Sequence, residues 1–409
     1  MLMKCRHCAH PLHHNFIDLG FAPPSNAYLT KEQLHQPEKY FPLRVKVCEH
    51  CWLVQTEDYA AADTLFDQHY AYFSSISKGW LAHAQSYCDE VEKKLSLDHE
   101  SFVVEVASND GYLLRNMVAK SIPCLGIEPT ESTAGVARSL GIPVLSAFFG
   151  EALAQKLTRE GPQADLIIGN NVLAHVPDIN DFCRGLATLL KPGGAITLEF
   201  PHLLELISLG QFDTIYHEHF SYLSLRAVST ILASAGLKVW NVDCLSTHGG
   251  SLRVWACHAN DHRAVSANVA HMLEREALAG LGSLATYATF QQRADNIKNE
   301  LLSYLLEQKR QGRTVVAYGA AAKGNTLLNY AGVKPDLLPY VCDAAPSKQG
   351  KYLPGSHIPI VAPDVLADVL PDVVLILPWN IKAEVMQQLS FLREVGTSFV
   401  TAVPMLEVL

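Results

Sequence analysis

A three-part α/β protein is predicted, with a small metal-bound N-terminal unit followed by two Rossmann-like domains. Three observations predict it. Two Cys-x-x-C knuckles, Cys5–Cys8 and Cys48–Cys51, stand near the N-terminus. A β-rich run at 101–107 passes through a turn containing Gly111 into a helical run. A second strand, glycine turn and helix begin at Arg313. At 409 residues the chain is too long for one ordinary core. Hydrophobic residues at 49% against 18% charged mark it as folded rather than disordered. The expected divisions are 1–64, 65–262 and 263–409.

Charge and hydropathy remove several classes. A net charge of −9 and a pI near 6.0 weigh against broad phosphate-backbone binding, so no nucleic-acid partner is expected. A local basic pocket for one phosphorylated small molecule stays compatible. No apolar run approaches the ~18 residues of a membrane helix, so no membrane partner is expected. The opening MLMKCRHCAHPLHH has no apolar stretch of a secretory signal. A cytoplasmic location and a monomer are the expectations.

In the N-terminal unit, each knuckle can supply two sulfurs to one tetrahedral ion, so Cys5, Cys8, Cys48 and Cys51 are read as the ligands of a structural Zn2+. Such a closed site keeps no open coordination position. The intervening segment, with Pro23-Pro24 and Pro37, reads as loops and short strands that a metal must hold together. The other six of the ten cysteines are scattered singly and read as small buried hydrophobes.

The first Rossmann-like domain starts at Ser101–Ala107, with Glu105 in the strand and Ser108-Asn109-Asp110-Gly111 in the turn. A strand running through such a turn into a helix is the cofactor crossing of a doubly wound sheet. The next strand, Cys124–Ile127, ends in Glu128, and an acid there suits two ribose hydroxyls. Further strands are expected at Ala164–Gly169, opening into Asn170-Asn171-Val-Leu-Ala-His175, and at Ala195–Phe200, after a turn at Leu189–Gly194. The succession EVASNDG, IE, NNVLxH and LKPGGxI resembles class I S-adenosylmethionine-dependent methyltransferases. Ala107 and Asn109 stand where that fold usually has glycines.

The stretch Thr214–Ser224, TIYHEHFSYLS, follows a helix-like run and can lie over the carboxyl edge of the sheet, where ligands bind. A zinc-protease pattern needs two histidines four apart. Here His217-Glu218 is followed by His219 and position 221 is Ser, so the spacing excludes it. Two readings stay open on residue types alone. One is an acid–base group, with a carboxylate orienting a histidine; the other is a solvated or capping turn.

In the third part, residues 264–311 are expected to be helix-rich. Arg313–Tyr318 reads as a strand leading into Gly319-Ala-Ala-Ala-Lys323-Gly324-Asn325, and Leu338–Cys342 as the next strand, ended by Asp343. The lysine precedes the second glycine, so this is no ATP-binding P-loop. A dinucleotide site is the more serious rival.

Together these segments resemble the sugar C-methyltransferases that act on nucleotide-linked 4-keto deoxysugars. The resemblance covers the whole chain and rests on the knuckles, PPSNAYL (23–29), YAYFSSIS (70–77), EVASNDG (105–111), NNVLAHVPD (170–178) and IYHEHFSY (215–222). HGGSLRV (248–254), YGAAAKGNTLLNY (318–330) and LPGSHIPI (353–360) extend it. It implies a zinc-binding unit, a methyltransferase domain holding S-adenosylmethionine, and a C-terminal Rossmann-like domain holding the sugar nucleotide, with dTDP or GDP as the carrier. Tyr70, His175, Tyr216, Glu218 and His219 would surround the sugar, with His219 as general base. Ser74, Ser75, Glu105, Asn109, Gly111, Glu128, Phe148, Asn170 and Asn171 would meet the cofactor. Lys323, Gly324, Asn325, Asp343, Lys348, Tyr352, His357, Trp379 and Asn380 would meet the nucleotide. Methylation would fall on C3 through an enolate; a different acceptor atom, or a relative that only binds ligands, are the alternatives.

Overall fold

The computed structural model describes residues 3–59 and 73–409; Tyr70 lies outside the described residues. The N-terminal part is an antiparallel meander of β1 (His14–Ala22), β2 (Phe41–Val47) and β3 (Val54–Thr56). In β2, Leu43, Val45 and Val47 face inward while Arg44 and Lys46 alternate outward, the period of a half-buried strand. Metal is not this sheet's sole support, contrary to the sequence expectation. Its apolar face needs cover, and the helices Leu284–Ala288 and Phe290–Arg310 supply it. Phe16 stacks on Phe290 with centroids 4.4 Å apart, and Trp52 stacks on Tyr287 at 6.1 Å. The N-terminal sheet and the C-terminal part therefore share one core.

The central sheet contains β4 (Val103–Val106), β5 (Cys124–Ile127), β6 (Val144–Leu145), β7 (Ala164–Asn170) and β8 (Leu190–Pro201). After the short β9 (Ser221–Tyr222) it adds β10 (Leu237–Leu245) and β11 (Ser251–His258). The strand order is β10-β11-β8-β7-β4-β5-β6, and β11 is antiparallel to both neighbours. Strand order reverses between β4 and β7, so the loops after these strands open a crevice at the carboxyl edge. Lys191–Gly194, expected as a turn, instead belongs to β8. Its exposed Lys191, Pro192 and Gly193 form an irregular start, with Gly193 at φ +82° and a register shift against β7.

Strand β9 leaves this sheet and pairs with β3, through Val54–Tyr222 and Gln55–Ser221. The end of the His-Glu-His stretch is thus the fourth strand of the N-terminal sheet. Residues 264–311 are helical as expected, over Ala267–Leu278, Leu284–Ala288 and Phe290–Arg310. The last sheet has β12 (Val315–Tyr318), β13 (Val341–Cys342), β14 (Ile360–Val361), β15 (Val373–Ile376), β16 (Ser398–Thr401) and β17 (Glu407–Val408). Its order is β14-β13-β12-β15-β16-β17, parallel except for β17. Of the six single cysteines, Cys88, Cys124, Cys183, Cys257 and Cys342 are buried and Cys244 is exposed. Among the described residues no helix is long and apolar enough to cross a membrane.

Candidate active site

The loop after β4 keeps the backbone of a glycine turn with only one glycine, Gly111, in place. Ala107 (φ +57°), Asn109 (φ +51°) and Gly111 (φ +78°) all adopt left-handed conformations. The first two do so at a steric cost, about 1 kcal/mol each. Glu128, buried at the end of β5, secures this shape: one carboxylate oxygen accepts from the Asn109 amide and the other from the Thr130 amide, both at 2.9 Å. The Asn109 side chain accepts from the Ser74 amide, and Asp110 from the Ser75 amide, each at 3.0 Å. Ser74, Ser75, Asn109, Gly111 and Glu128 are therefore brought together. Glu105 is buried in the strand below, where desolvation raises its carboxyl well above the usual range. Asn170 is buried at the end of β7, and both polar atoms of its amide lack a partner among the described residues. Phe148 is 53% exposed.

The His-Glu-His stretch lies beside this crevice. Its base candidate, His219, is buried, and its Nδ1 donates to the Thr214 carbonyl at 2.8 Å. That bond leaves Nε2 as the lone-pair nitrogen. Burial, helped by His175, Lys323 and His248, holds His219 well below its ordinary pKa, so the ring is neutral near pH 7. His175 lies 4.6 Å away between centroids and Tyr216 3.9 Å. His175 donates through Nδ1 to the Glu218 carbonyl at 2.8 Å, and burial lowers its pKa to about 4. The acid–base reading has a carboxylate orient the histidine; among the described residues none does. The Glu218 side chain turns to Asn26, whose amide donates to it at 2.6 Å, and a backbone carbonyl orients the ring instead. The reason is local: the tight turn Phe212–Thr214 aims its last carbonyl back at residue 219. His217 points away, donating to the Pro42 carbonyl of β2 at 3.3 Å.

The C-terminal turn closes the other side. The Lys323 ammonium reaches Asn380 at 3.2 Å and lies 4.8 Å from the Trp379 ring centre; burial lowers its pKa while Asp213 opposes that shift. Trp379 donates to the buried Asp213 at 2.7 Å, and burial raises that carboxyl to about 6. Gly249 must be glycine here, because a Cβ would come within 2.3 Å of the Trp379 ring. Gly324 packs on Leu377. Asn325 is buried and donates to the Ser25 carbonyl at 2.7 Å. Asp343 accepts from the Ala320 and Ala345 amides and pairs with Lys348 at 3.3 Å. The Tyr352 main chain bridges to Leu29, and the His357 side chain bonds Glu38 at 2.9 Å.

Sequence reasoning missed Asn26, Asp213 and His248. His248 accepts from the Asn171 amide at 3.2 Å and packs 5.3 Å from Trp80. The motifs PPSNAYL and HGGSLRV held two of them; no local pattern marked Asp213.

The metal candidates converge. The ligand atoms of Cys5, Cys8, Cys48 and Cys51 lie within 4.8 Å of one another, the one such group of three or more metal-binding side chains among the described residues. Cys5 and Cys51 sulfurs are 3.5 Å apart, and Cys8 and Cys48 sulfurs 3.6 Å. Those separations are far beyond a disulfide bond and suit the edges of a ZnS4 tetrahedron, roughly 3.8 Å for 2.3 Å Zn–S bonds. The four thiols fit a structural Zn2+.

Seven strands in this order, one of them reversed, with an acid at the tip of the second and a cofactor crossing at the first, define a class I S-adenosylmethionine-dependent methyltransferase. The residues are compatible with that cofactor: the buried acid Glu128 ends the second strand, and the Asn170 amide, without a partner among the described residues, ends the strand beside the crossing.

Known proteins carry the identification further. A C-methyltransferase C-terminal domain family matches residues 246–404, a methyltransferase domain family residues 80–242, and a zinc binding domain family residues 5–66. The C-methyltransferase NovU of Streptomyces niveus is 34% identical over 401 residues, covering 98% of this chain and 95% of its own. The chain belongs to this family of C-methyltransferases. Among solved structures, magnesium protoporphyrin IX methyltransferase of Synechocystis PCC 6803 matches at TM-score 0.36 and 18% identity, over 44% of this chain and 83% of its own. A methyltransferase of Clostridium acetobutylicum matches at 0.36 and 13%, over 44% and 92%. Strand order, not these likenesses, carries the fold assignment.

Proposed function

We propose that this chain methylates carbon 3 of a nucleotide-linked 4-keto-deoxysugar through an enolate, a step of unusual-sugar biosynthesis. The observation that carries the reading is the neutral His219, its Nε2 free by tautomer, set among Tyr216 and His175 beside the cofactor loop. A carbon-bound hydrogen beside a ketone is too weak an acid to leave unaided, so a base and a donor to the oxygen are both required.

His219 takes the C3 proton at Nε2. Tyr216 serves the developing oxyanion as donor, and the buried surroundings exclude water from it. When bound, S-adenosylmethionine supplies an electrophilic methyl group to the carbon so exposed. Holding the two reactants in line contributes a large part of the rate. Lys323 and Lys348 near the first turn of the helix Ala322–Ala331 supply charge for a diphosphate, with dTDP or GDP as the carrier. The test is incubation with methyl-labelled S-adenosylmethionine and a panel of nucleotide-linked 4-ketosugars. Label on carbon of one member supports the reading; no transfer to any ketosugar overturns it.

A further inference from the structure

The N-terminal segment Ser25–Tyr28 is neither zinc site nor cofactor site, yet it touches both remaining parts of the active site. The Asn26 amide donates to the Glu218 carboxylate at 2.6 Å. Ser25 offers its carbonyl to Asn325 at 2.7 Å, and its hydroxyl lies 3.4 Å from that of Thr326. Thr326 in turn donates to the Ile215 carbonyl, at the start of the His-Glu-His stretch. The Tyr28 hydroxyl donates to the Ala320 carbonyl at 2.6 Å, inside the C-terminal glycine turn. Three residues of the segment, Ser25, Asn26 and Tyr28, thus tie the C-terminal turn and its helix to the side chain next to the candidate base.

Glu218 is 2% exposed, and Asn26 is the sole side chain seen to bond its carboxylate among the described residues. We propose that Asn26 is a positioning residue, fixing the Glu218 carboxylate as a hydrogen-bond acceptor while its own segment is seated on the C-terminal turn. This rests on the acid–base reading of the His-Glu-His stretch and deepens it. Carboxamide and carboxylate are matched in polarity: a buried carboxylate without a donor either protonates or repels its surroundings. Burial already lifts Glu218 to about 7, and the Asn26 bond acts against that rise. The titratable groups around it are Tyr28 on the same segment, His175 at its carbonyl, and Tyr216 and His219 in its own loop; Asp343 and Lys348 stand behind Tyr28.

The experiment uses the full chain and Asn26→Ala, which removes the donor, with Asn26→Asp beside it, which keeps the shape but sets a second carboxylate against Glu218. Infrared difference titration follows protonation of the Glu218 carboxyl, assigned by its disappearance in Glu218→Gln. The midpoint is expected to rise by at least one pH unit in both Asn26 variants, with S-adenosylmethionine affinity within twofold of wild type. Turnover on an accepted ketosugar is expected to fall at least tenfold at pH 7, and partly recover at higher pH. An unmoved midpoint in a folded Asn26→Ala protein overturns the proposal, as does equal loss of turnover at every pH. Should Glu218→Gln itself turn over normally, the acid–base role of Glu218 fails while the titration still judges Asn26. If Asn26→Asp does not fold, the Asn26→Ala titration decides alone.

Discussion

The two Rossmann-like sheets solve one local problem in the same way and then diverge. In each, the acid ending the second strand accepts from the amide of the loop after the first strand and from an amide two residues further along. Glu128 holds Asn109 and Thr130; Asp343 holds Ala320 and Ala345. Beyond that the regions part. Lys348 neutralises Asp343, whereas Glu128 has no ion pair among the described residues. The first loop runs through left-handed Ala107 and Asn109, while the second places Lys323 on its helix. One crossing leaves its acid without a cation among the described residues, and the other pairs its acid with Lys348. A shared strand order therefore does not define a shared ligand.

The sharpest break in the comparison is at the base. His219→Asn is expected to cut methyl transfer about a thousandfold and to leave cofactor affinity unchanged, as read by single-turnover assay and calorimetry. Next come the two acids' surroundings. Glu128→Gln should weaken S-adenosylmethionine by about 2 kcal/mol, the scale of a charged hydrogen bond, without weakening a nucleoside diphosphate. Lys348→Ala should do the reverse, and both losses falling on the same ligand would erase the distinction. The pH profile comes third. His219 stays neutral because its pKa is lowered, so it sets no limb near neutrality. Glu218, raised to about 7, does: turnover should rise as pH passes through 7, and the limb should disappear in Glu218→Gln. The same raised pKa makes the folded state bind more protons than the unfolded between about 4.5 and 7, so this group's contribution to stability falls as pH rises across that window. The smallest effect is Ala107→Gly. Relief of a positive φ against glycine's extra chain entropy should move stability by no more than about 1 kcal/mol, measured by denaturant titration.

Much of the fold was legible because its signals are local. The knuckles, the crossing after β4 and the strands ending at Glu128 and Asp343 each declare themselves within a dozen residues. Lys191–Gly194 misled for the same reason: Pro-Gly-Gly reads as a turn, but pairing with β7 extends the strand through it. The site was legible as residue types and not as contacts. Nothing within the His-Glu-His stretch says that Glu218 answers to Asn26, almost two hundred residues earlier, or that Thr214 sets the tautomer of His219. Asp213 and Trp379 likewise meet from distant parts of the chain, and no periodicity links them.

The pairing of β3 with β9 has a consequence for the order of assembly. As the chain leaves the ribosome, the three-stranded meander is made early, but its outer edge stays unpaired until Ser221 and Tyr222 are synthesised. An unpaired edge is a template for the wrong neighbour. The chain joins completion of its His-Glu-His stretch and the sealing of that edge in a single event, so a ribosome-stalled fragment ending before residue 221 should be both inactive and prone to stick to itself.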